Sequence, residues 1–281
     1  MRFFSEWFQG IERVGMMAGH VIRIALRQRF VAFCFLVGIG LMGSVRGLRL
    51  FNFGSTEMTF ATDLGMGVMA LFGTVLAVVA TAQHFFSEID QRTALTLLAK
   101  PIGRGEFLIG QLVGMSGLLA AFCLVMLVVL VGALALRSTG SESTGLRVDL
   151  GVTGLPIGGL AMAGFAQWLK LTLLSALTLL VASFSRGLLY TVGVGLFLIV
   201  LCHLQPVIRA IQDRSEVAVL RKTAGVVIRT LPDLRTFDLA PSVIGRAGFD
   251  FELLGSIGLY GALYLVGFSA MAVAVFRRRE L

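Results

Sequence analysis

The chain has 281 residues, of which 57% are hydrophobic and only 14% are charged, and its formal net charge is +8. A soluble globular domain carries roughly 25% charged residues, so this composition excludes an ordinary water-soluble protein and indicates that lipid covers much of the surface. The basic residues flank apolar runs, which is typical of topology signals and contacts with anionic lipid, and nucleic acid is not an expected partner.

The segment 1–29 precedes the first long apolar run and is amphipathic. Apolar residues repeat along it at helical spacing from Trp7 to Ala25, and charged residues such as Arg23 and Arg27 fall mostly away from that face. This pattern predicts an N-terminal elbow helix lying in the membrane interface. The alternative is an ordinary amphipathic helix of a protein core.

About six apolar runs follow, and a helix needs about 20 residues to cross the hydrocarbon core. The predicted spans cover residues 30–48, 64–87, 107–136, 160–184, 187–208 and 253–276. The first apolar run is short, and flanking arginines can snorkel to lengthen it. We therefore expect an all-α, polytopic membrane protein in which residues 1–281 form a single transmembrane domain.

The flanking charges predict the orientation of the spans. Lysine and arginine are concentrated in the segment 1–29 and at the arginines 277–279, whereas the first and third loops carry few of them. We therefore expect both termini to be cytoplasmic. We also expect the protein to be integral to a bacterial inner membrane. The segment 212–251 is basic although this topology places it outside. Because residues 217–231 are amphipathic, we interpret the segment as an external interfacial or re-entrant element.

The loop 88–106 between the second and third spans is cytoplasmic in this topology and is unusually apolar for a solvated connection. Its stretch 93–99 favours a short helix that ends before Pro101, and so short a helix needs a partner to pack against. We predict that the loop docks a cytoplasmic protein; the alternative is packing against its own spans or the interface. The candidate contact residues are Glu88, Asp90, Arg92, Thr93, Leu97, Leu98, Pro101 and Arg104.

Chemistry-bearing patterns are sparse elsewhere in the sequence. Lys170 is the one charge predicted to lie well inside a span, where it either binds an anionic group or faces a polar cavity or snorkels. The cysteines lie singly in apolar runs and the histidines are scattered, so no metal site is expected. The sequence contains no phosphate-binding loop and no catalytic motif. We therefore expect neither enzymatic activity nor a bound cofactor in this chain.

The loop motif resembles a known signature. The pattern Glu88, Arg92-Thr93, Leu97-Leu98, Pro101, Arg104, Phe107 and Gly110 is similar to that of ABC-2 type transporter permeases. The branch it resembles most includes permeases of the copper-enzyme-maturation and gliding-motility type. Two further stretches, 231–239 and 276–281, resemble the segment before the last span and the usual terminus of that family. The chain departs from the pattern at Gln111, where the family commonly has lysine.

The resemblance implies a type V exporter-like architecture, with an elbow helix, six spans, a short coupling helix in the loop 88–106 and re-entrant helices before the last span. It implies the transmembrane permease subunit of an ATP-binding cassette transporter. A cytoplasmic ATPase subunit would bind ATP and magnesium, and a second permease copy or a paralogue would complete the assembly. The alternatives are a stand-alone secondary transporter or channel centred on Lys170, or a non-transporting assembly subunit.

Overall fold

A computed structural model describes residues 2–44, 57–90, 104–138, 157–214, 218–239 and 251–278. Its elements in chain order are α1 (Arg2–Arg27), α2 (Arg29–Ser44), α3 (Glu57–Val75), a π-helical segment (Leu76–Ala80), α4 (Thr81–Asp90), α5 (Arg104–Ser138), α6 (Ile157–Phe184), α7 (Leu188–His203), α8 (Gln205–Arg214), α9 (Ala218–Thr230), a 3-10 turn (Leu234–Phe237) and α10 (Phe251–Arg277). The described part of the chain contains no strand, so the predicted all-α class is confirmed.

Several of these helices are long and apolar enough to cross a membrane. They are Phe60–Ile89, Gly105–Ala135, Ile157–Phe184 and Phe251–Arg277. The helices α1 and α2 meet at a bend of 68° and pass the same test only as a pair. Because α2 and α7 have 16 residues each, they are shorter than the length of about 20 residues that a straight span requires. The long apolar helices confirm the polytopic architecture. Because α2 and α7 are short, the number of six spans stays a prediction.

The helix α6 lies at the centre of the bundle. It is apolar around its whole circumference, and nearly all its side chains from Leu160 to Ser183 are buried, as expected for a helix surrounded by others. It packs against α5, α7 and α10. It also packs against the continuous helix formed by α3, the π-helical segment and α4, which we call the α3–α4 helix. Glycines allow the close approach: a Cβ atom at Gly261 of α10 would lie 2.6 Å from Leu169 Cδ2. Small residues at such crossings are the usual way in which helices associate within lipid.

The helix α1 packs along the first half of α5. Its buried face contains Met17, Ala18, Val21 and Ala25, which continue the predicted apolar stripe. A Cβ atom at Gly114 of α5 would lie 2.5 Å from Val21 Cβ and 2.9 Å from the backbone oxygen of Ala18. The small-residue spacing on α5 therefore accommodates α1, a partner that the sequence pattern does not identify.

We expect the Gly114→Ala substitution to push α1 away from α5, because both obstructing atoms belong to backbone or Cβ positions that cannot rotate aside. Such overpacking costs about 1–3 kcal/mol, which thermal unfolding in detergent would measure as a lower Tm. Gly132→Ala is the matched control, since a Cβ there meets nothing within 4 Å. Equal melting temperatures of the two variants would contradict this packing.

Candidate functional site

The structure describes the two ends of the predicted docking loop. Glu88 and Asp90 lie in the last turn of α4, and Arg104 is the first residue of α5. The remaining candidate docking residues lie outside the described residues: Arg92, Thr93, Leu97, Leu98 and Pro101. The structure therefore shows the helix that precedes the loop, α4, and the helix that follows it, α5.

These two helix ends are packed against the end of the last helix by three aromatic rings. The ring centroid of Phe85 on α4 lies 5.9 Å from that of Phe276 on α10. Phe107 on α5 also stacks on Phe276, with 6.1 Å between centroids and an interplanar angle of 18°. All three side chains are buried. We call this cluster of Phe85, Phe107 and Phe276 the loop base, because it fixes both ends of the loop to α10.

Glu88 lies inside the bundle, with only 5% of its surface exposed. Its Oε1 atom is 3.6 Å from Nδ1 of His84, one turn earlier on α4, and that imidazole is also buried. The sequence led us to expect the carboxylate on the docking surface; in this conformation it lies beside His84 instead. Helical spacing places residues i and i+4 on the same face, and the burial of that face is a long-range feature that spacing alone does not reveal.

Two contacts connect the start of α5 to neighbouring helices. Arg13 of α1 lies 3.8 Å from the carboxylate of Glu106, and both side chains are about one-third exposed. An ion pair of this exposure is worth about 0–1 kcal/mol, so it contributes little to the stability of the fold. Gly105 allows α10 to approach, since a Cβ there would lie 3.3 Å from Val273 Cγ1. The start of α5 is thus in contact with both α1 and α10.

Gln111 is fully buried on α5, at the position where lysine is common in the family that the loop motif resembles. Neither atom of its side-chain amide has a hydrogen-bond partner within the described ranges. Buried polar groups normally have hydrogen-bond partners. The chain therefore has an unusual buried amide at this position, without the charge that a lysine would carry.

Lys170 is buried near the middle of α6, and its ammonium group has a partner. Its Nζ atom donates a hydrogen bond to Oδ1 of Asp238 at 2.7 Å, and the side chains of the two residues are 3% and 44% exposed. Asp238 directly follows the 3-10 turn Leu234–Phe237. The two residues are 68 positions apart, which is why the sequence pattern revealed the buried lysine without its counterion.

The segment Leu231–Leu239, which we call the plug, is attached to several helices. Gln205 of α8 donates a hydrogen bond from Nε2 to the backbone oxygen of Leu231. Asp233 donates its backbone N–H to the hydroxyl of Tyr260 on α10 at 2.9 Å. The ring of Phe237 lies 5.9 Å from that of Tyr260, and its side chain is buried. With the Lys170 ion pair, these contacts fix the plug to α6, α8 and α10.

We expect Phe276→Ala to loosen the loop base, because the ring packs against both Phe85 and Phe107. Removing a buried phenylalanine costs about 3–5 kcal/mol, which should appear as a large fall in Tm and as faster proteolysis within residues 91–103. Phe251→Ala is the matched control at the other end of α10, where the side chain is 77% exposed. If both variants melt and digest alike, the loop base does not hold the loop.

The described residues contain no group of three or more histidine, cysteine, aspartate or glutamate side chains that could hold a metal ion. The family model of the ABC-2 family transporter protein matches residues 39–281, which include the loop base, Lys170 and the plug. It does not distinguish the branch that the loop motif resembles. No curated protein matches the chain. Because the family model covers most of the sequence, the chain belongs to the ABC-2 transporter family and is a membrane-embedded component of the ABC transporter permease type.

Proposed function

We propose that the chain is the transmembrane permease subunit of an ATP-binding cassette transporter and moves a substrate with energy from ATP hydrolysed by a separate subunit. The family match over residues 39–281 carries this proposal. The sequence lacks the G-x-x-x-x-G-K-[ST] loop that cradles nucleotide phosphates. ATP and its magnesium ion therefore bind to the partner ATPase.

The loop 88–106 is the proposed docking element for that ATPase. Leu97 and Leu98 fill an apolar groove of the ATPase in the manner of a short helix in a groove. The charged side chains Asp90, Arg92 and Arg104 pair with complementary groups around the groove. Pro101 ends the short helix, since proline lacks the N–H that a helix requires.

The loop base is the proposed route by which movement of the ATPase reaches the spans. Because Phe85 and Phe107 both pack against Phe276, a displacement of the loop moves the ends of α4, α5 and α10 together. Packed helices shift between discrete arrangements as rigid bodies rather than deforming gradually. In this scheme Glu88 is a positioning residue that acts through the end of α4, since its carboxylate is buried beside His84.

A second permease, either another copy of the chain or a paralogue, completes the proposed assembly. Both termini are cytoplasmic in this proposal, and the protein lies in a bacterial inner membrane. Large apolar side chains are exposed on the outer faces of the bundle, among them Leu36 on α2, Leu189 on α7 and Leu263 on α10. Lipid and the second permease share these faces, since contiguous exposed apolar surface needs a non-aqueous neighbour.

Affinity purification of the chain from native membranes in mild detergent, followed by mass spectrometry, tests this proposal. We expect a Walker-motif ATPase to co-purify in equal amounts and to hydrolyse ATP faster in the complex than alone. Recovery of the chain alone, folded and transporting in liposomes without ATP, would refute the permease assignment and support a stand-alone transporter.

A further inference from the structure

The ion pair of Lys170 has a marked asymmetry. The lysine side chain is 3% exposed, whereas that of Asp238 is 44% exposed. A buried ammonium group needs an anionic partner, because removing that partner leaves an uncompensated charge in a medium of low dielectric constant. Asp238 needs Lys170 far less, since water can solvate much of its carboxylate.

A second hydrogen-bond donor lies next to Lys170. Gln167 precedes Lys170 by one helical turn on α6, so the two side chains project toward neighbouring parts of the same face. Gln167 is 2% exposed, and its Nε2 atom has no hydrogen-bond partner among the residues that the structure describes. Buried amide donors are normally satisfied. This part of α6 therefore offers two hydrogen-bond donors. Within the described residues, the ammonium group of Lys170 has an acceptor and Nε2 of Gln167 does not.

Asp238, whose carboxylate pairs with Lys170, belongs to a segment with little regular structure of its own. Asp238 is in the plug, whose only helical part is the 3-10 turn of four residues from Leu234 to Phe237. So short a turn has little stability of its own, and its position depends on the contacts with α6, α8 and α10. The plug is anchored by buried apolar side chains, among them Leu234 and Phe237, so loss of the ion pair loosens it locally without expelling it from the bundle.

We propose that Lys170 and Gln167 form a binding site for a carboxylate or phosphate group, and that Asp238 is the built-in occupant that such a group displaces. The exchange replaces one anion by another, so Lys170 is never left unpaired. A carboxylate or phosphate has several acceptor oxygens and can also accept the hydrogen bond of Gln167. Release of Asp238 then removes the ion pair between the plug and α6.

This inference names the substrate class of the transporter as an anionic molecule, and in that respect it rests on the proposed function. The binding step itself involves only this chain and requires no ATPase. A failure of ATPase co-purification would therefore count against the permease assignment and leave the anion site intact. Absence of anion binding would overturn the anion site and leave the permease assignment intact.

Hydrogen–deuterium exchange of the plug peptide, measured on the full chain in nanodiscs of zwitterionic lipid, tests the site. The probes are inorganic phosphate and hexanoate, each compared with chloride at equal ionic strength. We expect either probe to speed exchange of residues 231–239 by at least about threefold, because displacement of Asp238 opens local hydrogen bonds. A third sample, containing phosphatidylglycerol and only chloride, shows whether a lipid headgroup supplies the same anion.

Three variants make the outcome specific. Lys170→Gln should abolish the response to both probes. Arg209→Gln should preserve it, because Arg209 contacts the plug at Asp233, at 3.5 Å, and is not part of the Lys170–Asp238 pair. Asp238→Asn should reverse the effect of added anion on exchange of the plug. The anion then replaces the missing carboxylate, so it slows exchange and raises Tm. Equal exchange in chloride, phosphate, hexanoate and phosphatidylglycerol, or a response that survives in Lys170→Gln, would overturn the proposal.

Discussion

The double variant Leu97→Asp/Leu98→Asp is expected to abolish docking of the ATPase while leaving the chain inserted in the membrane. In the proposed complex both leucine side chains lie in an apolar groove, and burying each is worth about 1.5–3 kcal/mol. Losing both contacts and placing two carboxylates there should weaken the complex more than about 100-fold. The amount of co-purified ATPase and the ATP hydrolysis that the permease stimulates measure the effect.

Thr96→Asp is the matched control for that experiment. It introduces a carboxylate into the same stretch without removing either leucine, so general electrostatic repulsion would affect it as well. We expect this variant to retain most of the ATPase. If the double variant keeps full ATPase binding and stimulation, Leu97 and Leu98 do not dock the partner.

Asp238→Leu is expected to destabilise the chain strongly, because it strands the ammonium group of Lys170 inside the bundle. Breaking a buried pair costs about 3–5 kcal/mol, and we expect about 2–4 kcal/mol here because Asp238 is 44% exposed. The measurement is thermal unfolding in detergent. The double variant Lys170→Met/Asp238→Leu should recover most of the loss, since replacing both partners by apolar residues is often neutral.

The comparison of single and double variants isolates the pair from the general effect of either substitution. Additive losses would show that Lys170 and Asp238 are not coupled. They would also contradict the anion-exchange proposal, which requires Lys170 to depend on its anionic partner.

The apolar runs of the sequence coincide with helices, because each run carries its own local signal. The predicted span 160–184 lies within α6, Ile157–Phe184, and the predicted 253–276 lies within α10, Phe251–Arg277. Charged residues and turns interrupt long apolar runs, so such boundaries are set by nearby residues. On α1, the stripe residues Ala18, Val21 and Ala25 are also buried. Whether α2 and α7 each cross the membrane is less evident, since both have 16 residues.

The contacts that make the candidate sites depend on residues far apart in the chain. Phe276 contacts Phe85 and Phe107 only because the end of α10 meets the ends of α4 and α5. Asp238 reaches Lys170 across 68 positions. A single sequence shows periodicity along one helix and not which helices become neighbours. Glu88 illustrates the consequence: the sequence places it in the loop motif, and only the structure shows that it is buried.

The π-helical segment Leu76–Ala80 is a further feature that the sequence did not indicate. It interrupts the α3–α4 helix at buried residues, and Val78 lies against Gly195, where a Cβ atom would be 3.0 Å from Val78 Cγ1. Apolar residues satisfy α-helical and π-helical patterns equally well over one turn, so composition cannot separate them. Its occurrence in the helix that leads to the loop agrees with the frequent use of π-bulges at functional sites.

Site-specific photo-crosslinking tests the central claim, that the loop 88–106 docks a separate ATPase. A photoreactive amino acid is placed at Leu98 in the loop, and in a control at Leu263, which is exposed on the outer face of α10. After illumination of native membranes, we predict that position 98 forms a crosslink to a Walker-motif ATPase and that position 263 does not. Crosslinks from position 98 only to lipid or to the chain itself would contradict the account and show that the loop packs against its own spans or the membrane interface.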